Sequence, residues 1–386
     1  MKILLAPAAF FTLLPMAFSP TKPVINAHKT SINSKKDPKI QVAILLDVSN
    51  SMDGLIDQAK AQLWNMVSVM GRVKCGDGNP KIEIALYEYG RSSNDPKAGY
   101  VKQISSFTSD LDKLSQELFK LTTNGGDEYC GHVIHTSLDE LRWDSVSSNY
   151  KVIFIAGNED FLQGDISYTR SCAEAKAKGV IVNTIYCGDS MQGIREHWNL
   201  GGECGNGSYT YINQDAREEN TPTPYDSALF VLNNRLNRTY LTYGYSGTKN
   251  YEMQASVDQL NMSAGAPGAA KRVAVKANKQ LYNNAGWDMV DAYNADSVGF
   301  IKKMDKNTLP DSLKNKSREE LQKIITTKNE ERAAIQKDIL KVNTQRENYI
   351  AAEKAKRTVA NNTPTLETEV EKIIRNQVKR FKMTVE

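Results

Sequence analysis

Short apolar runs alternate along this chain with segments whose apolar positions recur at helical spacing. Val42–Leu46 is wholly apolar, and Lys151–Ala156 and Gly179–Tyr186 are mostly so, as expected of strands buried on both faces. Lys81–Tyr89 alternates before merging into such a run, and Tyr100–Phe107 reads as a short strand able to pair with it as a hairpin. Between the strands lie helical patterns: Leu55, Ile56, Ala59, Leu63, Val67 and Met70 over Asp53–Gly71, and Leu111, Leu114, Leu118 and Leu121 over Asp110–Leu121. Further helices are expected over His132–Trp143 and Ser167–Lys178, then a short one over Gln192–Trp198. A glycine-rich loop, Gly201–Gly207, and an edge-like strand, Ser208–Ile212, complete the series. This alternation predicts an α/β fold over 41–215, a doubly wound, mainly parallel sheet with helices on both faces. Ligands of such sheets sit outside the carboxyl ends of the strands.

The pattern changes after Gln214. Ala216–Pro224 is polar, with two Thr-Pro steps, and reads as a linker. An all-helical region follows over 225–312, with helical patterns near 226–241, 249–262, 267–283 and 294–304. Residues 313–386 read as long charged helices. Over Ser317–Arg357 a seam of Leu321, Ile325, Lys328, Arg332, Ile335, Ile339, Val342, Arg346 and Tyr349 fits an imperfect coiled coil or helical hairpin, or a solvated helix packed on its own domain. Asn361–Pro364 interrupts it. Leu366–Phe381 is a second amphipathic helix able to fold back on the first.

Composition narrows the classes. The 386 residues are 40% hydrophobic and 24% charged with a net charge of +4, which is ordinary for a globular chain and offers no basic stripe for nucleic acid. Lys2 followed by the apolar run Ile3–Phe18 reads as a secretory signal peptide, taken as 1–27, with a flexible leader over 28–40. Pro7 and Pro15 argue against a membrane anchor, so the mature chain is expected to be exported, to a periplasm, a cell envelope or the medium. Five cysteines suit export, and none shows the Cys-x-x-Cys spacing of a zinc site. Cys130, Cys172 and Cys187 fall near the carboxyl ends of strands, Cys204 lies across a short helix from Cys187, and Cys75 belongs to the opposite end. The expected disulfides are Cys187–Cys204 and Cys130–Cys172, with Cys75 unpaired.

Candidate chemistry begins where the first apolar run ends. Asp47, Ser49 and Ser51 place three side-chain oxygens at alternating positions just before a helix. One carboxylate and two hydroxyls suit a hard cation, and the same residue types are ordinary helix caps. The strand, Asp-x-Ser-x-Ser and the helix resemble the metal-ion-dependent adhesion site of von Willebrand factor A domains, of an exported bacterial type. The resemblance covers about 40–215. It implies two further loops, a glycine-containing one that usually brings Thr and one after the fourth strand that usually brings Asp. Here those places carry Asp127, after Gly125-Gly126, and Asn158. The implied metal set is Asp47, Ser49, Ser51, Asp127 and Asn158. The implied cofactor is Mg2+, with Ca2+ or Mn2+ as alternatives.

What the resemblance implies is binding rather than catalysis: a cation with an open position takes a carboxylate from a protein partner, and the C-terminal helices offer a route to self-association. A metal-assisted hydrolase would need a base, and Glu128, Glu159 or Asp160 could serve. A structural cell-envelope protein with a vestigial site is a third reading. His132 and His135, three apart beside Cys130, are read as surface or cap histidines.

Overall fold

The computed structural model describes residues 38–76, 78–213, 222–356 and 365–386. The expected signal peptide, nearly all of the leader and most of the 216–224 linker lie outside the described residues.

A six-stranded sheet runs in the order β4-β3-β1-β5-β6-β7, built from β1 (Lys39–Asp47), β3 (Lys81–Tyr89), β4 (Lys102–Thr108), β5 (Tyr150–Gly157), β6 (Ile181–Cys187) and β7 (Asn206–Ile212). All neighbours are parallel except the edge pair β3–β4. The doubly wound, mainly parallel sheet is therefore present. Strand β1 is paired on both sides, with Asp47 opposite Tyr89 of β3 and Leu46 opposite Ala156 of β5. A small second sheet joins β2 (Val73–Lys74) to β8 (Thr384–Val385), antiparallel.

Alternate residues of each strand serve opposite faces. Val42, Leu46, Val152 and Phe154 share one core with helices α1 (Asp53–Gly71) and α2 (Leu111–Lys120). Ala43, Leu45, Ile153, Ile155 and Val182 share the other with α3 (Cys130–Glu140) and α4 (Tyr168–Lys178). Short helices α5 (Ser190–Arg195) and α6 (Trp198–Cys204) follow β6. The expected glycine-rich loop at 201–207 is thus corrected: most of it is the end of α6 and the start of β7. A Cβ on Gly201 would stand 2.4 Å from the Phe161 ring and 3.0 Å from Thr184 Cγ2 of β6, so a bare backbone lets this helix press against both.

The C-terminal region is helical: α7 (Asp226–Asn237), α8 (Gly247–Ala264), α9 (Ala266–Lys276), α10 (Met289–Ala295), α11 (Ser297–Lys303), α12 (Asp311–Lys314), α13 (Arg318–Lys356) and α14 (Leu366–Gln377). Leu229, Leu236, Val273, Trp287, Ile335 and Ile339 form the core of α7, α9 and α13. Of the seam foreseen on α13, Leu321, Ile325, Arg332, Ile335, Ile339 and Arg346 are buried where the helix packs on α7, α9 and α10, and Lys328, Val342 and Tyr349 are half-buried. Its two interior arginines are paired: Arg332 with Asp288 and Asp291, and Arg346 with Asp226.

The hairpin with Leu366–Phe381 does not form. Helix α14 packs instead on α1 and β7, and Leu366, Val370, Ile373, Ile374 and Val378 join the core of the α/β body. Thr365 opens α14 with a capping box. The buried Gln377 locks its far end, accepting from the Tyr150 hydroxyl at 2.9 Å and donating to Asn183 Oδ1 at 2.6 Å. Helices α7–α13 are therefore an insertion between the sheet and its closing helix.

The disulfide expectation is corrected as well. Cys172 of α4 is bonded to Cys204 at the end of α6, and Cys75, Cys130 and Cys187 are free. Neither Cys187–Cys204 nor Cys130–Cys172 is formed. Cys187 closes β6 and is buried in the sheet core, and the Cys130 thiol is turned towards the Tyr89 hydroxyl, so only Cys172 faces α6.

Candidate metal centre

Asp47 is the last residue of β1, at the carboxyl end of a strand flanked on both sides. A short 3-10 turn, Asn50–Met52, separates it from α1. The Ser49 amide donates to Asp47 Oδ1 at 2.7 Å, turning the chain so that both serine hydroxyls come to one place, their oxygens 3.5 Å apart. Asn158 arrives from the end of β5, and its Nδ2 donates to Ser51 Oγ at 3.1 Å. Ser49 sits at the N-cap of the 3-10 turn but makes no side-chain cap, and the N-cap of α1 is Met52, so neither serine hydroxyl caps a helix.

The second loop is fixed to the first by its backbone. The Asn124 amide donates to Val48 O and the Gly125 amide to Asn50 Oδ1, both at 2.8 Å. The Gly125 carbonyl accepts from the Ser92 amide at 2.8 Å. Gly126 has no room for a side chain, since a Cβ would sit 2.6 Å from the Ser92 nitrogen. Thr123 is hydrogen-bonded to Asp53, and Thr122 to Arg91. No threonine of this loop is turned to Asp47.

Asp127 makes no hydrogen bond to Asp47, Ser49, Ser51 or Asn158 among the described residues. It is exposed and accepts from the Tyr129 hydroxyl at 3.2 Å. The next residue, Glu128, turns inward instead and is 8% exposed. Both carboxyl side chains rest on Gly90: a Cβ there would stand 2.9 Å from Asp47 Oδ1 and 3.0 Å from Glu128 Cγ. Gly90 also has φ +82°, a conformation that glycine adopts without strain. Sequence reasoning had Glu128 only as a base for the hydrolase alternative. The signal that could have found it is the adjacency of two acids in an extended segment, where successive side chains point opposite ways.

The electrostatics of the pocket ask for positive charge. Asp47 is 0% exposed and its Oδ2 has no hydrogen-bond partner. Burial pushes its carboxyl up to about 7 against the lowering by Ser49, and the charge of Glu159 adds to the rise. Glu128 is pushed up to about 8, by burial first and then by the charges of Asp47 and Glu159. A buried carboxylate oxygen without a partner is costly unless it is protonated or meets a cation. The residues present therefore fit a hard divalent ion: Asp47, Ser49, Ser51 and Asn158 supply oxygens only. Among the described residues, no three Asp, Glu, His or Cys side chains gather closely enough to hold an ion unaided. Hydroxyl and amide oxygens would have to complete the set.

The histidines serve elsewhere. His135 contacts Glu174, His197 contacts Asp160 at 3.0 Å, and the ring of His132 lies against Gly99.

No family model matches the sequence, and comparison with curated proteins finds no match. Solved structures do resemble it. An aerotolerance-related membrane protein from Bacteroides fragilis is 15% identical with a TM-score of 0.32, over 46% of this chain and 93% of that one. The SpRpn10 VWA domain is 15% identical with a TM-score of 0.34, over 45% of this chain and 88% of that one. Proximal thread matrix protein 1 of the mussel byssus, with a zinc-occupied MIDAS motif, is 13% identical with a TM-score of 0.35, over 46% of this chain and 43% of that one. At such scores the weight falls on the chain's own strand order. The sheet, with its helices on both faces and Asp47 at the end of its central strand, is von Willebrand A-like.

Proposed function

We propose that this chain is an exported protein-binding module that uses a divalent cation held at the end of β1 to capture a partner carboxylate. One observation carries the reading: a wholly buried Asp47 whose Oδ2 has no partner, set beside two serine hydroxyls and the Asn158 amide. Asp47, Ser49, Ser51 and Asn158 would hold the ion, with Mg2+ as the first choice and Ca2+ or Mn2+ as alternatives. The ion supplies a concentrated positive charge at which an acidic side chain gains a strong contact over a small area. The protein's own part is to keep these oxygens in place. Strand pairing on both sides fixes Asp47, and backbone hydrogen bonds between the loops fix the turn at Ser49–Ser51.

The binding body in this reading is residues 39–213 closed by 365–386, and the inserted helices 222–356 are an arm for a second contact or self-association. The apolar N-terminal run supports export. Among the described residues no helix is long and apolar enough to cross a membrane.

The experiment is capture from native extracts on the immobilised full chain, with Mg2+, with chelator, and with Asp47→Ala. The reading expects partners that appear with Mg2+ and vanish in both other arms. Equal capture in all three would refute it. Turnover of a substrate in the Mg2+ arm would favour the hydrolase instead, with Glu128, Glu159 or Asp160 as its candidate base.

A further inference from the structure

We infer that Glu128, not Asp127, is the second carboxylate ligand of the divalent cation at Asp47. The inference rests on the cation reading of this site and deepens it. Three placements support it. Glu128 is nearly enclosed although among the described residues no basic side chain is in contact with it, and its side chain lies against the same Gly90 as Asp47. The Ser49 amide donates to Asp47 Oδ1 at 2.7 Å, and that oxygen and Glu128 Cγ both flank Gly90, so the serine turn and the two acids share one pocket. The other oxygen of the Asp47 carboxyl, Oδ2, is buried and unpartnered beside Gly157, so this carboxylate lacks a positive charge.

The loop backbone makes this arrangement specific. Gly126 touches Gly90 O and the Ser92 nitrogen, Gly125 is tied to Asn50, and the chain leaves the loop with Asp127 facing solvent and Glu128 facing Asp47. Exchanging the roles of the two acids would require the 122–129 segment to flip against these contacts. With Asp47 and Glu128 both ionised, the chain itself supplies two negative charges to a divalent ion. More charged ligands mean tighter binding of hard cations.

The test is isothermal titration calorimetry of the full chain with Mg2+, Ca2+ and Mn2+, comparing wild type with Asp47→Ala, Glu128→Gln and Asp127→Asn. Thermal melts in chelator establish that each variant is folded. Glu128→Gln should melt no lower than wild type, because an amide removes charge repulsion with Asp47. The expected result is loss of binding in Asp47→Ala, a drop of at least about tenfold in Glu128→Gln, and a change within about threefold in Asp127→Asn. Binding that is lost in Asp47→Ala but kept in Glu128→Gln overturns this inference and leaves the proposed function standing. A tenfold loss in Asp127→Asn likewise overturns it. A wild type that binds none of the three ions refutes both.

Discussion

The closing of the sheet by α14 can be tested at one side chain. Gln377 is 1% exposed and meets two groups of the α/β body that are themselves fully buried. The Tyr150 hydroxyl donates to its Oε1 at 2.9 Å, Asn183 Nδ2 donates to the same oxygen at 3.2 Å, and its own Nε2 donates to Asn183 Oδ1 at 2.6 Å. In Gln377→Ala, Asn183 Oδ1 still accepts from the Ser208 amide at 2.9 Å. The Tyr150 hydroxyl and Asn183 Nδ2 are left as buried donors without acceptors. Each such orphan costs about 1–3 kcal/mol, and the vacated side-chain volume adds a cavity cost. A total of about 3 kcal/mol is expected, with relaxation and an entering water setting the lower end near 2 kcal/mol. The assay is urea unfolding of the full chain followed by far-UV circular dichroism and tryptophan fluorescence. Arg380→Ala, which removes only an exposed contact to the Asn206 carbonyl, is the control and should change little. If Gln377→Ala unfolds within about 0.5 kcal/mol of wild type, as surface substitutions do, the docking of α14 on Tyr150 and Asn183 is wrong.

Other expectations follow from buried charge and from the cysteines. Arg332→Ala strands Asp288 and Asp291 in the interior and removes the guanidinium over the Tyr240 ring at 4.1 Å, so chemical denaturation should record a loss of about 3–5 kcal/mol. Peptide mapping without reductant should recover Cys172 joined to Cys204; a Cys187–Cys204 peptide would contradict the structure. With a separation of 32 residues, reducing that bond should cost about 3–4 kcal/mol on the chain-entropy account. In chelator, stability should fall as pH rises from about 5 to 8. Asp47 and Glu128 take up protons on folding, because their folded values of about 7 and about 8 lie above the ordinary 3.8 and 4.5. Their contribution is therefore fully present below the ordinary values and is lost as pH climbs through the folded ones. Thermal melts across this range test it, and a flat profile would count against the shared burial of the two acids.

The α/β body was legible because its strands are buried on both faces, and a continuous apolar run has few other destinations. Asp47, Ser49 and Ser51 were legible for a related reason: the end of such a run is where side-chain oxygens leave the core. The closing helix was not. Val370, Ile373, Ile374 and Val378 announce an apolar face on Leu366–Phe381, but a coiled-coil seam and an open sheet face ask for the same pattern. The choice depends on contacts such as Tyr150–Gln377, which span most of the chain and leave no periodic trace. The arginines of the α13 seam were a hint in the same direction, since a dry coiled-coil core tolerates them poorly and an insertion offering Asp288, Asp291 and Asp226 accommodates them.

At the acid pair 127–128 the inward residue is hidden from the sequence for a more local reason with a distant cause. A glycine pair followed by an acid points to Asp127 as the residue in the place of a known loop, and it is Glu128 that is buried. Which acid turns inward is decided by where Gly126 can press on Gly90 and Ser92, residues of a different loop. That loop follows β3, the strand that places Tyr89 opposite Asp47. The same β3–β1 pairing thus positions Asp47 and, through Gly90, selects Glu128 over Asp127. If this is how the pocket is built, Gly90→Ala should disturb both acids at once. Its Cβ would strike Asp47 Oδ1 and Glu128 Cγ together, and cation affinity should fall further than in Glu128→Gln alone. A Gly90→Ala chain that binds cation as wild type does would show that the two acids do not depend on this contact.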